Sequence, residues 1–195
     1  GDKAYITGYT GTLPDVVVPA VIDGYPVYAI ENLRSPILTH VVVSEGIEEI
    51  GEFAFMHYLN RDEEYYVNNL VSVSLPQSLK VISDWGFSGQ ENLQEITFGG
   101  VEQIGRGAFS GCSKLTQITL PDTLTTIEWK AFEYSGLTSL TIPVNVSFIR
   151  DTSFIENCSS LTTLRVAEGN PYYEMEDGIL YQTASKSVQC LILKA

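Results

Sequence analysis

Along most of the chain the apolar positions fall in blocks. Each block reads Leu-x-x-Ile-x-Leu, then an apolar pair three apart, then a small residue followed by Phe. Leu115-Thr116-Gln117-Ile118-Thr119-Leu120, the pair Leu124 and Ile127, and Ala131-Phe132 make one such block. Ile118 and Leu120 alternate with polar neighbours, which is strand periodicity, so they turn inward while Gln117 and Thr119 turn outward. Pro76, Pro121 and Pro143 follow three of these strands and stop them, because proline has no N–H to donate. The pairs Leu79/Ile82, Val101/Ile104, Leu124/Ile127 and Val146/Ile149 predict a second side, extended or in short strands. Ala54-Phe55, Gly86-Phe87, Ala108-Phe109, Ala131-Phe132 and Ser153-Phe154 predict a tight corner built as a single helical or 3-10 turn, since too few residues remain for a long helix.

The blocks keep time. Leu70, Leu93, Leu115, Leu137 and Leu161 are 23, 22, 22 and 24 residues apart, and Phe87, Phe109, Phe132 and Phe154 are 22, 23 and 22 apart. A unit this short cannot bury its apolar face alone, so neighbouring units must stack into a solenoid. Upstream, Leu38 to Leu70 and Phe55 to Phe87 both span 32 residues, one repeat plus an insertion placed near 58–68. The expected architecture is a single right-handed solenoid domain over 1–195, mainly β, with a parallel sheet and short helical or 3-10 turns. It divides into an N-terminal cap unit (1–36), five to six repeats of about 22–24 residues (37–166) and a C-terminal cap (167–195). Stacked strands predict one continuous sheet of roughly 25 Å. In the caps, turns are expected at Gly8, Gly11 and Asp23-Gly24, and at Asp177-Gly178 before a last strand at Cys190 to Leu193.

These blocks resemble the BspA-like, or Treponema-type, leucine-rich repeat, whose pattern runs Leu-x-x-Ile-x-Leu-Pro, Leu-x-x-Ile, Ala-Phe-x-x-Cys. Leu115 to Phe132 follows it almost position by position, and Ala108-Phe109-Ser110-Gly111-Cys112 carries the ending. Gly99 replaces the proline, and Gln90 and Ser135 stand at the cysteine position, departures that leave the expected fold intact. The resemblance implies a leucine-rich repeat solenoid from a secreted or cell-surface bacterial protein, with roles in adhesion or in binding host and matrix proteins. It also implies that such a region is often one part of a longer chain.

Charge narrows the partners. Eleven Lys and Arg against 24 Asp and Glu give a net charge of −13, which repels nucleic acid and anionic membranes. No run approaches the roughly 18 apolar residues of a membrane span, so no direct membrane insertion is expected. Cys112 and Cys158 occupy equivalent places two coils apart, on the order of 10 Å by strand spacing and beyond disulfide reach. They read as small buried residues, and with Cys190 lacking CxxC spacing no zinc site is expected. The acidic groups Asp62/Glu63/Glu64 and Glu174/Glu176/Asp177 lack the alternating ligand spacing of a calcium loop, so neither a metal nor a cofactor is expected.

An enzyme is not expected either. His40 and His57 are the only histidines, no GxSxG, HExxH or P-loop occurs, and Gly105-Arg106-Gly107-Ala108-Phe109-Ser110 is the repeat itself. Function must then lie where the repeat faces outward or is broken. The outward positions of the first strand are His40, Val42, Glu95, Thr97, Gln117, Thr119, Thr141, Thr163 and Arg165, accompanied by Ser72, Ser74 and Ser139. Trp85, Trp129 and Phe148 lie off the core register, and at least one indole is expected on the surface. Tyr65 and Tyr66 in the insertion suit a contact loop. These residues predict a non-enzymatic, monomeric module binding a protein or glycan; the alternative is a spacer or stalk with no ligand of its own.

Overall fold

The computed structural model describes residues 2–56 and 69–191. The expected insertion near 58–68, with Tyr65 and Tyr66, lies outside these residues, as does His57. The described chain winds as a β-solenoid in which each coil has two strand sides and one turned corner. Its strands are β1 (Ala4–Ile6), β2 (Asp15–Val18), β3 (Val21–Ile22), β4 (Tyr25–Ile30), β5 (His40–Val43), β6 (Glu49–Ile50), β7 (Ser72–Ser74), β8 (Val81–Ile82) and β9 (Glu95–Thr97). They continue with β10 (Gln103–Ile104), β11 (Thr126–Ile127), β12 (Ser139–Ile142), β13 (Phe148–Ile149), β14 (Thr163–Val166), β15 (Tyr173–Glu176), β16 (Ile179–Gln182) and β17 (Val188–Leu191).

The longer of the two sheets is the one built from the shorter strands. The order β1-β4-β6-β8-β10-β11-β13 is parallel and unbroken, and its register stacks Ile30, Ile50, Ile82, Ile104, Ile127 and Ile149 in one buried file. We call it sheet II. Sheet I comes from the Leu-x-x-Ile-x-Leu blocks, with Val41, Val73, Leu140 and Leu164 buried between outward neighbours.

Sheet I is not continuous, contrary to the sequence expectation. It runs β2-β5-β7-β9, stops, and resumes as the pair β12-β14. Residues 117–120, which match the strand pattern best, form no strand and make no backbone hydrogen bond to β9 or β12. Two residue choices in the preceding coil account for the break. Phe98 stands where other coils carry Val43, Leu75, Leu120, Ile142 or Val166, and its ring packs edge-on to Phe109 at 6.0 Å, wedging the strands apart. Gly99-Gly100 replaces the usual proline turn and lies so close to the preceding coil that a Cβ on Gly99 would sit 1.8 Å from the Pro76 carbonyl oxygen. The third coil is thus drawn back while its bulkiest side chain pushes forward.

The corner is a chain of tight turns with little helix. The only 3-10 segment among the described residues is Thr152–Ile155, capped by Asp151, whose carboxylate accepts from Ser153 N–H at 2.8 Å. Elsewhere the chain alternates into the left-handed region at Phe53, Trp85, Gly107 and Lys130, which turns every second N–H toward the next coil. Phe87, Phe109 and Phe132 N–H donate to the carbonyls of Ala108, Ala131 and Phe154, each at 2.8 Å. The rings stack with them: Phe55 to Phe87 at 4.7 Å, Phe87 to Phe109 at 5.4 Å and Phe109 to Phe132 at 5.6 Å, with nearly parallel planes. The cysteine position has a specific task. Cys112 Sγ donates to Phe87 O and Cys158 Sγ to Phe132 O, and Gln90 Nε2 does the same for Phe55 O, so each ties its corner to a carbonyl of the preceding coil, buried at Phe87 and Phe55 and part-buried at Phe132. Both thiols are free; burial pushes the Cys112 thiol well above the ordinary thiol range and raises that of Cys158, which is only partly buried, so the thiolate form is disfavoured at both.

The ends differ from the repeats. Asp23-Gly24, both at positive φ, makes the type I′ turn of the β3–β4 hairpin. No hairpin forms at Gly8 or Gly11; that stretch crosses from β1 in sheet II to β2 in sheet I, and Tyr9 Oη pins it by donating to Leu13 O and accepting from Leu13 N–H. At the other end β15-β16-β17 is an antiparallel meander turned at Asp177-Gly178. Tyr173, buried, accepts the Ile149 N–H at 2.8 Å and so closes the open edge of β13. Tyr173→Phe leaves that N–H unpaired, and an equilibrium denaturation should record a loss of about 1–3 kcal/mol. Burial raises the Tyr173 phenol above its ordinary value. The neutral phenol is the form the fold favours, so its contribution holds below about pH 10 and is lost as pH climbs through the raised value.

Candidate functional site

The outward positions of sheet I are placed as the alternation implies, but they form no joined site. His40, Val42, Glu95, Thr97, Gln117, Thr119, Thr141 and Arg165 are exposed, and Thr163 is half-buried. His40 is already engaged: its Nδ1 lies 2.7 Å from Asp15 Oδ1, which also accepts from Thr39 Oγ1 at 2.9 Å. These hydrogen bonds, from His40 first, hold the Asp15 carboxyl below the usual range. A comparable device crosses the turns after sheet I, where Glu45 accepts from Gln77 N–H at 2.8 Å and Ser78 N–H at 3.1 Å and is lowered mainly by the first of these. For both groups the ionised form is favoured in the fold. Their contribution is present above the ordinary carboxylate value and is lost as pH falls through the lowered one. Melting temperature should therefore drop between about pH 5 and pH 3, and the drop should be shallower in Glu45→Gln.

The built concavity lies on the other face. Over sheet II a groove of about 930 Å³ crosses five coils, from Glu49 and Glu52 through Asp84 and Arg106 to Trp129, Arg150 and Asp151. Its floor is the outward file Glu49, Val81, Gln103 and Thr126, which the parallel register aligns. Its wall is the row two residues beyond each buried Ile: Glu52, Asp84, Arg106, Trp129 and Asp151. Ser83 Oγ donates to Glu49 Oε1 at 2.7 Å, fixing that carboxylate in the floor. Asp84 Oδ1 accepts the Arg106 backbone N–H at 2.8 Å, and the Arg106 guanidinium lies 3.8 Å from Asp84 Oδ2.

Trp129 is the anchor of the wall. Arg106 Cζ lies 5.5 Å and Lys130 Nζ 4.9 Å from its ring centroid, a cation–π arrangement that holds the indole in place while 37% of the residue stays exposed. Lys130 is in turn held by Glu133 Oε1 at 2.7 Å, the main reason its ammonium is raised above the ordinary range, with Glu156 at 3.8 Å. Phe148 is 41% exposed and pairs in register with Thr126 of the groove floor, but it is not among the residues that line the groove. Trp85 plays a different part. It is half-buried and covers Gly107, where a Cβ would meet the indole at 2.2 Å. It is packing for the corner.

Of the residues that the sequence singles out, Trp129 lines this groove, whereas the expected main surface is on sheet I. The groove partners Glu49, Glu52, Asp84, Arg106, Glu128, Arg150 and Asp151 were missed as a set. The row Glu52, Asp84, Arg106, Trp129, Asp151 carries the signal, because it holds charge and an indole at one repeat position. Among the described residues no three His, Cys, Asp or Glu side chains gather as a metal site, and no helix is long and apolar enough to cross a membrane.

The repeat pattern and this fold agree with a family model. The BspA type leucine-rich repeat region matches residues 60–177 in six copies. The chain belongs to this family. Among solved structures, a leucine-rich repeat protein of T. pallidum is 30% identical, with a TM-score of 0.69 over 85% of this chain and 73% of that one. A leucine-rich cell surface protein of Faecalibacterium prausnitzii A2-165 is 27% identical, with a TM-score of 0.60, and the match covers 95% of this chain and 56% of that one. A leucine-rich repeat protein of Bacteroides ovatus is 25% identical, with a TM-score of 0.58 over 81% of this chain and 35% of its own. This BspA-type chain thus spans little more than half of the F. prausnitzii protein and about a third of the B. ovatus one. A search of curated proteins gave no match.

Proposed function

We propose that this BspA-type solenoid is a non-enzymatic binding module that acts outside the cell as a monomer and holds a protein or glycan ligand in the groove over sheet II. The observation that carries the reading is Trp129, an indole fixed by Arg106 and Lys130 yet open to solvent in the wall of a concave surface. Exposed aromatics with arginine beside them are the residue types that dominate binding energy in recognition surfaces. The carboxylates of Glu49, Glu52, Asp84, Glu128 and Asp151 outnumber Arg106 and Arg150 and favour partners that bring hydroxyl or cationic donors. The surface location rests on the F. prausnitzii neighbour, described as a cell surface protein.

A panel of immobilised extracellular-matrix proteins together with a glycan array tests the proposal. Saturable retention on at least one surface is expected. If nothing on either panel retains the protein, the spacer alternative stands instead.

A further inference from the structure

The lining of the sheet II groove is left charged. Five carboxylates, those of Glu49, Glu52, Asp84, Glu128 and Asp151, stand against the guanidiniums of Arg106 and Arg150. Away from the groove the chain pairs its acids, as Lys80 with Glu102 at 2.8 Å and Lys130 with Glu133 at 2.7 Å. Within the lining the one ion pair among the described residues is Arg106 with Asp84, and at 3.8 Å it is long. Glu49 and Asp151 take neutral donors instead. The Ser83 hydroxyl donates to Glu49 at 2.7 Å, and Asp151 accepts the Ser153 N–H at 2.8 Å together with the Ser153 hydroxyl. The carboxylates of Glu52 and Glu128 have no partner of either kind among the described residues.

Like charges held side by side repel, and a concave surface lined by one sign concentrates its field on whatever enters. The backbone holds them there. Phe53 N–H donates to Asp84 O at 3.1 Å, Trp85 N–H to Arg106 O at 2.7 Å and Gly107 N–H to Trp129 O at 2.9 Å, which fixes the wall row at coil spacing. Two acidic stations result, Glu49 with Glu52 on the β6 coil and Glu128 with Asp151 beside β11 and β13. Three coil spacings separate Glu52 from Glu128, about 14 Å, which no small cation bridges and which four residues of extended chain span. The only cation of the lining between them, Arg106, is turned onto Asp84 and the Trp129 ring. A sugar would bring more hydroxyls, which Ser83 and Ser153 already supply, and would leave the charge uncompensated. Resting on the reading of this groove as the binding surface, we infer that its occupant is an extended basic segment of a partner protein. One Lys or Arg seats between Glu49 and Glu52, and a second, four residues along, seats at Glu128 and Asp151 beside Trp129.

The test uses the wild-type protein and an end-blocked peptide, Gly-Arg-Ser-Gly-Ser-Arg-Gly, whose arginines are four residues apart. The two indole N–H signals in a proton–nitrogen correlation spectrum report binding: Trp129 lies in the groove wall, and Trp85, outside the lining, is the reference. In low salt the Trp129 signal should move saturably while that of Trp85 stays, and the same peptide with glutamine for arginine should move neither. Glu52→Gln and Glu128→Gln should each weaken binding about tenfold. Glu168→Gln removes the same charge from an exposed position in the turn after β14 and should bind as wild type. Equal weakening by Glu168→Gln would overturn the inference, because net charge alone would then draw the peptide. So would a Trp129 signal that does not move, or equal affinity for Gly-Arg-Arg-Ser-Gly-Ser-Gly, whose adjacent arginines cannot reach both stations. Each of these failures leaves the groove standing as the binding surface wherever Trp129→Ala loses a glycan that wild type retains; that reading falls separately if the two retain alike.

Discussion

Phe109→Ala should destabilise the protein by about 3–5 kcal/mol, the largest loss expected from any single truncation in the array. Phe109 is fully buried, with Phe87 stacked on one side at 5.4 Å, Phe132 on the other at 5.6 Å and Phe98 against its edge. Coil spacing is set by backbone ladders above and below, including Phe109 N–H to Ala131 O, so the neighbours cannot collapse into the space. The cavity term therefore adds nearly in full to the lost transfer energy. Because each coil touches only its neighbours, the defect should also uncouple the two halves of the solenoid and broaden the transition. Chemical denaturation followed by circular dichroism checks both features. Phe148→Ala, a ring of the same size on the surface, should cost at most about 0.5 kcal/mol. Similar losses at the two positions would contradict a core carried by the Phe file.

Gly99→Ala comes second. A single methyl there would lie 1.8 Å from Pro76 O and 2.1 Å from Pro76 C, both backbone atoms with no rotamer to escape into. The coil must shift, at a cost of about 3 kcal/mol. A methyl at Gly24 supplies the comparison. Nothing lies within 4 Å of its Cβ position, so only the positive φ of +84° is penalised, at about 1 kcal/mol. The contrast separates close approach from conformational strain. Paired melting curves of the two variants measure it.

Much of the fold is legible in the sequence. Ile82, Ile104, Ile127 and Ile149 occur at fixed distances before Phe87, Phe109, Phe132 and Phe154, and a periodic file can be buried only by stacking. Gln90 and Ser135 looked like gaps in the cysteine pattern, yet Gln90 performs the cysteine's hydrogen bond to the Phe carbonyl behind it. Two things were hidden by the same regularity. Leu115 to Leu120 matches the strand motif so well that the missing strand pairing of residues 117–120 is invisible locally; the cause lies one coil back in Phe98 and Gly99-Gly100. The groove was hidden because its members come from different coils and each looks like an ordinary polar turn residue. Only the register, which sets Asp84, Arg106 and Trp129 side by side, makes them a surface.

The binding account stands or falls on Trp129, whose indole is open to solvent and outside the core file. The deciding measurement runs wild type and Trp129→Ala in parallel over the same glycan and matrix-protein panels, with Thr119→Lys on the opposite face as the control. Loss of at least 10-fold in retention by Trp129→Ala, with Thr119→Lys binding as wild type and all three melting within a few degrees, is the predicted result. Equal retention by wild type and Trp129→Ala would contradict it.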